Sequence, residues 1–147
     1  MPDQPPFDDQ AAAALLARAR EARAHAYAPY SNFHVGAALL ADDGRVFTGV
    51  NVENASYGLA NCAERVAIGK AVSEGARRFV AIAVTGPDDC APCAPCGACR
   101  QVIHEFGARM PVVMPAEGGD GVQVVSIGEL LPGAFGPETL AAAREVL

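Results

Sequence analysis

The chain has 147 residues, of which 51% are hydrophobic and 19% charged, and its formal net charge is −6 at neutral pH. This composition favours a compact globular domain over a disordered chain, and an acidic chain without a basic stripe argues against a nucleic-acid interface. The first ten residues lack the basic and apolar regions of a secretory signal, and no apolar run approaches the roughly 20 residues that span a membrane. We therefore expect a cytoplasmic protein that acts on a small molecule.

The pattern of capping and turn residues predicts alternating helices and strands. Asp8 or Asp9 can cap the first helix, Asp43-Gly44 is a hairpin signal, and Gly75 suits a helix end. In chain order we predict a helix over 8–26, strands over 35–41 and 45–52, a helix over 62–74, a strand over 79–85, a helix over 97–106, strands over 112–114 and 122–126, a helical turn over 127–131 and a last helix over 138–146.

This order of elements predicts one domain over residues 1–147, with residues 1–10 as a flexible N-terminal extension. Strands that alternate with helices favour an α/β fold, specifically a three-layer α/β/α sandwich with a central sheet of about five strands. Because the first two strands form a hairpin, the sheet should be mixed and not purely parallel.

Three cysteines and one glutamate lie where two of the predicted helices begin. Cys62 and Glu64 open one helix, and Cys96 and Cys99 open the next. A helix N-terminus favours thiolate over thiol because its unpaired amides carry partial positive charge. Three protein ligands leave one position of a tetrahedral Zn²⁺ open for water, which is typical of a catalytic site. Glu64 could take a proton from that water and deliver it to a substrate nitrogen.

Arg65 is a candidate for balancing the charge of this site. A Zn²⁺ ion with three thiolates is net negative, which would weaken its effect on bound water. Arg65 lies three residues after Cys62, hence on the same helix face, and can donate hydrogen bonds to the thiolates. We expect Arg65 to neutralise part of the negative charge.

Six sequence segments occur in an order that is strongly specific when they are taken together. They are APYSNF (28–33), VGAAL (35–39), NVEN (51–54), CAER (62–65), PCGACRQ (95–101) and ELLPGAF (129–135). In these segments the chain resembles the small homotetrameric zinc-dependent cytidine deaminases of the three-cysteine type, from about Tyr27 to Phe135. The wider group of zinc deaminases shares the glutamate and the Pro-Cys-x-x-Cys segment, and this chain has Cys62 where the common signature has histidine.

The resemblance implies hydrolytic deamination of cytidine and 2′-deoxycytidine in pyrimidine salvage. Zinc-activated water would attack C4 of the base, Glu64 would shuttle the proton, and ammonia would leave. One Zn²⁺ per chain would be held by Cys62, Cys96 and Cys99, with Arg65 beside the sulfurs.

The resemblance also implies a nucleoside-binding site that neighbouring subunits share. Phe33 would stack on the pyrimidine and the backbone near Ala63 would read its carbonyl, while Asn51 and Glu53 would hold the ribose hydroxyls. Three further residues would complete a neighbouring subunit's site, and a homotetramer is expected: Ala55, Tyr57 and Phe135.

Cys90 and Cys93 fall outside this pattern and leave alternatives open. With Cys96 and Cys99 they form a Cys-x2-Cys-x2-Cys-x2-Cys run, which would suit an iron–sulfur electron carrier, although the usual Cys-x3-Cys-Pro ending is absent. They could also form a disulfide or a weak second metal site, or be loop thiols without a required role. A blasticidin-type nucleoside-antibiotic deaminase, a nucleic-acid-editing deaminase and a non-catalytic zinc module with a fourth protein ligand are further alternatives.

Overall fold

Helices pack on both faces of one sheet in the computed structural model, which describes residues 6–144. The elements in chain order are α1 (Asp9–Arg23), β1 (Gly36–Ala41), β2 (Val46–Val50), α2 (Ala63–Ser73), β3 (Phe79–Thr85), α3 (Gly97–Glu105), β4 (Pro111–Pro115), β5 (Val122–Ser126), α4 (Ile127–Leu130) and α5 (Pro137–Arg144). Single 3-10 turns lie at Tyr57–Leu59 and Glu117–Gly119. None of the helices in the described part of the chain is long and apolar enough to cross a membrane.

The sheet has five strands in the order β2-β1-β3-β4-β5. Strand β1 pairs antiparallel with both β2 and β3, β3 pairs parallel with β4, and β4 pairs antiparallel with β5. The predicted mixed sheet of about five strands is therefore confirmed. Gly44 in the β1–β2 turn and Gly75 after α2 adopt positive φ values of 89° and 94°, as the turn and helix-end predictions require.

Alternate residues of the central strands supply two separate apolar cores. Leu39 and Ile82 face one core, which α2, α3 and α4 cover. Ala38, Ala83 and Val113 face the other, which α1 covers with Leu15 and Leu16. Because each face of the sheet is covered by helices, the predicted three-layer α/β/α sandwich is confirmed.

The element ends differ modestly from the predicted ones. Asp8 caps α1 by accepting a 2.8 Å hydrogen bond from the Ala11 amide, so the helix begins inside the predicted 1–10 extension. That helix ends at Arg23 and not near Ala26. The predicted last helix reaches 146, but residues 145–147, like residues 1–5, lie outside the described ones.

Gly49 determines how closely α2 approaches β2. A Cβ atom at this position would collide with the Ala63 carbonyl oxygen and would lie 2.5 Å from the Ala67 amide nitrogen. The absence of a side chain therefore lets the first two turns of α2 rest directly on the strand. Since Ala63 directly follows Cys62, this contact also fixes where the first cysteine lies.

We predict that Gly49→Ala destabilises the protein by on the order of 1–3 kcal/mol, because α2 must move away from β2 to admit the methyl group. Thermal or denaturant unfolding measures the effect. Gly69→Ala is the matched control. Gly69 lies in the same helix, and apart from the helix's own nearby backbone nothing lies within 4 Å of its added Cβ, so the change should be neutral or stabilising by up to about 1 kcal/mol. Equal stability of the two variants would refute the close-approach role of Gly49.

Candidate active site

The sheet topology brings the starts of α2 and α3 together. Because β1 is antiparallel to both β2 and β3, those two strands run in the same direction and end at the same edge of the sheet. Helix α2 follows β2 in the chain and α3 follows β3, so both helices begin at that edge. Cys62 is the N-cap residue of α2, Cys96 is the N-cap residue of α3, and Cys99 lies in the first turn of α3.

The sulfur atoms of these three cysteines form a cluster that fits a zinc ion. They lie within 4.8 Å of one another, and the Cys62 and Cys96 sulfurs are 3.8 Å apart. Tetrahedral coordination with Zn–S bonds of about 2.3 Å requires neighbouring sulfurs about 3.8 Å apart. The side chains of Cys62 and Cys96 make no capping hydrogen bond to their helices, so both sulfurs remain available to a metal.

Cys90 and Cys93 do not join the cluster. Among the described residues, the ligand atoms that lie together are the sulfurs of Cys62, Cys96 and Cys99, and all five cysteines are free thiols. An iron–sulfur site built on the four-cysteine run would need Cys90 and Cys93 and would leave Cys62 without a role. The grouping includes Cys62 and leaves out Cys90 and Cys93, so it favours a zinc site over that alternative. Within the described residues it contains no fourth protein ligand of the kind a structural zinc module uses.

Glu64, two residues after Cys62, is buried, with 4% of its surface exposed. Burial raises the pKa of its carboxyl above the usual range, although a hydrogen bond with Cys99 opposes the shift. Burial, and next the charge of Glu64, raises the pKa of the Cys99 thiol. Binding of a divalent ion would override the shift at Cys99, since a coordinating thiol is deprotonated outright. The site thus combines a potential sulfur cage with a carboxyl that can hold and release a proton.

Arg65 lies where the sequence predicts it. Its Nη2 donates to the Cys62 sulfur at 3.5 Å. This hydrogen bond raises the pKa of the Arg65 guanidinium, which keeps the side chain positively charged beside the sulfurs. The geometry supports a role for Arg65 in offsetting thiolate charge.

A cavity of about 350 Å³ opens in front of Cys62 and Cys96. Its volume lies within the range of small-molecule sites. Its lining includes all of the substrate-binding candidates that belong to the chain's own site, together with Glu64 and Cys93: Phe33, Asn51, Glu53 and Ala63. Phe33 is 49% exposed, so about half of this residue is accessible to a ligand.

Asn51 and Glu53 also hold the loop that carries Phe33, a role the sequence did not indicate. The Asn51 side chain donates to the Phe33 carbonyl oxygen at 2.7 Å and accepts from the Val35 amide at 2.9 Å. Glu53 accepts from the amides of Tyr30 and Ser31 at 3.0 and 3.1 Å and from the Ser31 hydroxyl. These bonds, with that of the Ser31 hydroxyl first, lower the pKa of Glu53 and keep it ionised.

Ala55, Tyr57 and Phe135 do not line the cavity of their own chain. Tyr57 is 75% exposed and Phe135 is 57% exposed. The Tyr57 ring packs edge-on against Tyr30 with a centroid distance of 5.8 Å. The side chain of Gln101 donates to the Phe135 carbonyl oxygen at 2.8 Å and so ties this segment to α3.

Two arginines brace the loops around the site and were missed by the sequence analysis. Arg100 donates to the carbonyl oxygens of Pro95 and Leu130 at 2.7 and 2.8 Å, so it ties the turn before Cys96 to the end of α4. Arg23 donates to the Gly86 carbonyl at 2.6 Å and to Asp89 at 2.8 Å. Most of these partners are far apart in sequence, so no local pattern could have revealed them.

Comparison with known proteins shows to which family the chain is similar. The family model of the cytidine and deoxycytidylate deaminase zinc-binding region matches residues 9–114. The chain is 52% identical to a cytidine deaminase from Sporosarcina psychrophila over 132 residues, which are 89% of this chain and 96% of the relative. It is 54% identical to a cytidine deaminase from Halalkalibacterium halodurans over 127 residues, which are 86% of this chain and 95% of the relative.

A solved structure is similar as well. The crystal structure of a cytidine deaminase from Burkholderia pseudomallei superposes with a TM-score of 0.77 at 56% sequence identity. The match covers 83% of this chain and 97% of the other. The likeness therefore extends over nearly the whole of that protein.

We predict that Arg65→Ala weakens zinc retention or activity by about 10- to 100-fold, because the sulfurs lose a positively charged hydrogen-bond donor. Zinc content per chain during competition with a chelator measures the first effect. Arg78→Ala is the control, since Arg78 is exposed and pairs with Asp42 at 2.8 Å. Arg78 precedes the first residue of β3, whereas the helix with Cys96 and Cys99 follows the last residue of that strand. Zinc content and kinetics equal to those of the wild type would remove this role from Arg65.

Proposed function

Because the chain belongs to the cytidine and deoxycytidylate deaminase family, we propose that it hydrolyses cytidine and 2′-deoxycytidine to uridine and 2′-deoxyuridine with release of ammonia. The observation that carries the proposal is the cluster of three sulfurs together with the buried Glu64, which lines the same cavity of about 350 Å³ as Cys62 and Cys96. The high identity to two proteins named cytidine deaminase supports the choice of substrate.

The chemistry divides between the metal and the side chains. Cys62, Cys96 and Cys99 would hold the zinc ion, which supplies the Lewis acidity that makes water a nucleophile at neutral pH. Glu64 takes the proton released by the attacking water and delivers it to a nitrogen of the base. Its burial favours the uptake of the proton, because a carboxyl whose pKa is raised holds a proton more readily.

The remaining cavity residues orient the nucleoside. The exposed side of the Phe33 ring stacks on the pyrimidine, and Asn51 keeps that ring in place through its bond to the Phe33 carbonyl. The amides at the start of α2, around Ala63, lie at the positive end of the helix and can donate hydrogen bonds to the base carbonyl. Asn51 and Glu53 line the same cavity, where their oxygens can bind the ribose hydroxyls.

A homotetramer with shared active sites forms the second part of the proposal. Several large apolar side chains are exposed on the described part of the chain, among them Tyr27, Tyr30, Tyr57, Leu59 and Phe135. Exposed apolar groups of this kind commonly mark an interface. In the assembly, Ala55, Tyr57 and Phe135 of one chain close the cavity of a neighbour. Pyrimidine salvage and a cytoplasmic location remain predictions from the sequence.

Glu64→Gln is predicted to reduce kcat by roughly 10²- to 10⁴-fold, because the amide cannot carry the proton. The assay measures ammonia release from cytidine, deoxycytidine, adenosine, blasticidin S and a short single-stranded oligonucleotide. Cytidine and deoxycytidine should be turned over by the wild type, and the other three compounds should not.

Zinc content per chain controls for damage to the sulfur cluster in this variant. Normal turnover by Glu64→Gln with zinc bound would refute the proton-shuttle role. Preferential release of ammonia from blasticidin S or the oligonucleotide would overturn the proposed substrate class.

Shared sites predict that two defective variants complement each other. Phe135→Ala should lose activity because the neighbour's cavity is left open, and Glu64→Gln should lose it through the proton step. When the two chains are co-expressed, some sites combine an intact Glu64 with an intact neighbouring Phe135, and about a quarter of wild-type activity should return if subunits mix at random. Activity equal to the sum of the separate variants would contradict site sharing.

A further inference from the structure

Gly86 provides a recess that two cavity residues fill. It follows β3 directly, and a Cβ atom there would lie 3.1 Å from the Cys93 sulfur and 3.3 Å from Cζ of Phe33. Both distances are shorter than an ordinary van der Waals contact. The Cys93 thiol and the tip of the Phe33 ring therefore occupy space that any larger residue at position 86 would take.

Cys93 faces the cavity, whereas Cys90 does not. Cys93 lines the cavity together with Phe33 and Glu64. Burial, and next the charge of Glu64, raises the pKa of the Cys93 thiol. The Cys93 sulfur and Cζ of Phe33 lie 3.1 and 3.3 Å from the same point, the Cβ position at Gly86, so the thiol is a neighbour of the tip of the ring. The Cys90 sulfur lies beside Gly119 instead and is absent from the cavity lining.

Hydrogen bonds fix the backbone on both sides of the recess. Arg23 donates to the Gly86 carbonyl at 2.6 Å and to Asp89 at 2.8 Å, so the start of the loop that carries Cys93 is fastened to α1. On the other side, Asn51 fixes the backbone of Phe33. Because hydrogen bonds hold both Gly86 and the backbone of Phe33, the residues around this recess cannot move apart easily when a larger ligand enters.

We propose that Phe33, Gly86 and Cys93 form a specificity wall that limits the size of the base beside its reacting carbon. The inference rests on the proposed function, in which the reacting carbon of the base lies beside Glu64. Because Cys93 lines the same cavity as Glu64, a base whose reacting carbon faces Glu64 would direct the substituent on the next ring carbon, C5 of the pyrimidine, toward the Cys93 thiol. Cys93, which the metal cluster leaves unused, thus acquires a role in substrate selection.

The test compares cytidine with 5-methylcytidine as substrates. The wild type should favour cytidine, and Cys93→Ala should raise the relative kcat/KM for 5-methylcytidine about tenfold or more, because a space of methyl size opens. Gly86→Ala should raise KM for cytidine, since its methyl group displaces the Cys93 thiol or the Phe33 ring. Cys90→Ala is the matched control and should leave the substrate ratio unchanged. A ratio that is the same in Cys93→Ala and Cys90→Ala would overturn the wall while leaving the proposed function intact.

A second measurement does not depend on turnover. Alkylation of the zinc-loaded protein by iodoacetamide, followed by peptide mass spectrometry, reports on each free thiol. Uridine at ten times its dissociation constant should slow alkylation of Cys93 about tenfold and leave Cys90 unaffected. Equal rates at Cys93 with and without uridine would overturn the inference. If the wild type failed to deaminate cytidine, the proposed function would fall, and the alkylation pattern would still decide whether Cys93 faces a bound nucleoside.

Discussion

The convergence of two helix N-termini at one edge of the sheet is the constraint on which the rest of the site depends. Each helix begins at a cysteine, and the positive end of a helix stabilises a thiolate. The antiparallel strand β1 between β2 and β3 makes this convergence possible, because it forces its two neighbours to end at the same edge. The sulfur cluster is thus a consequence of topology as much as of the motifs themselves.

Charge and burial are balanced around that cluster. Three thiolates and the Glu64 carboxylate would place four negative charges near one divalent ion, while Arg65 adds a positive charge through its bond to the Cys62 sulfur. Burial holds the pKa of Glu64 above its ordinary value, so the carboxyl can exchange a proton. The same arrangement that holds the metal therefore prepares the acid beside it.

Sequence reasoning succeeded where the signals are local and failed where they are not. The capping side chain of Asp8 and the left-handed turn at Gly44 depend on a few adjacent residues, so these element boundaries could be predicted. The end of β2 could not, because Val52 leaves the ladder to form isolated bridges with Tyr27 and Asn61. The grouping of Cys62 with Cys96 and Cys99 was predictable from the motifs, whereas the bracing by Arg100 and the recess behind Phe33 depend on distant contacts.

The most direct test of the central claim is zinc-edge X-ray absorption spectroscopy on the purified protein. The account predicts one zinc per chain with three sulfur neighbours at about 2.3 Å and a single oxygen or nitrogen neighbour at about 2.0–2.2 Å. Loss of one sulfur neighbour in each of the serine variants of Cys62, Cys96 and Cys99 would assign the ligands. Four sulfur neighbours in the wild type, or a spectrum unchanged by Cys62→Ser, would contradict the open three-cysteine site.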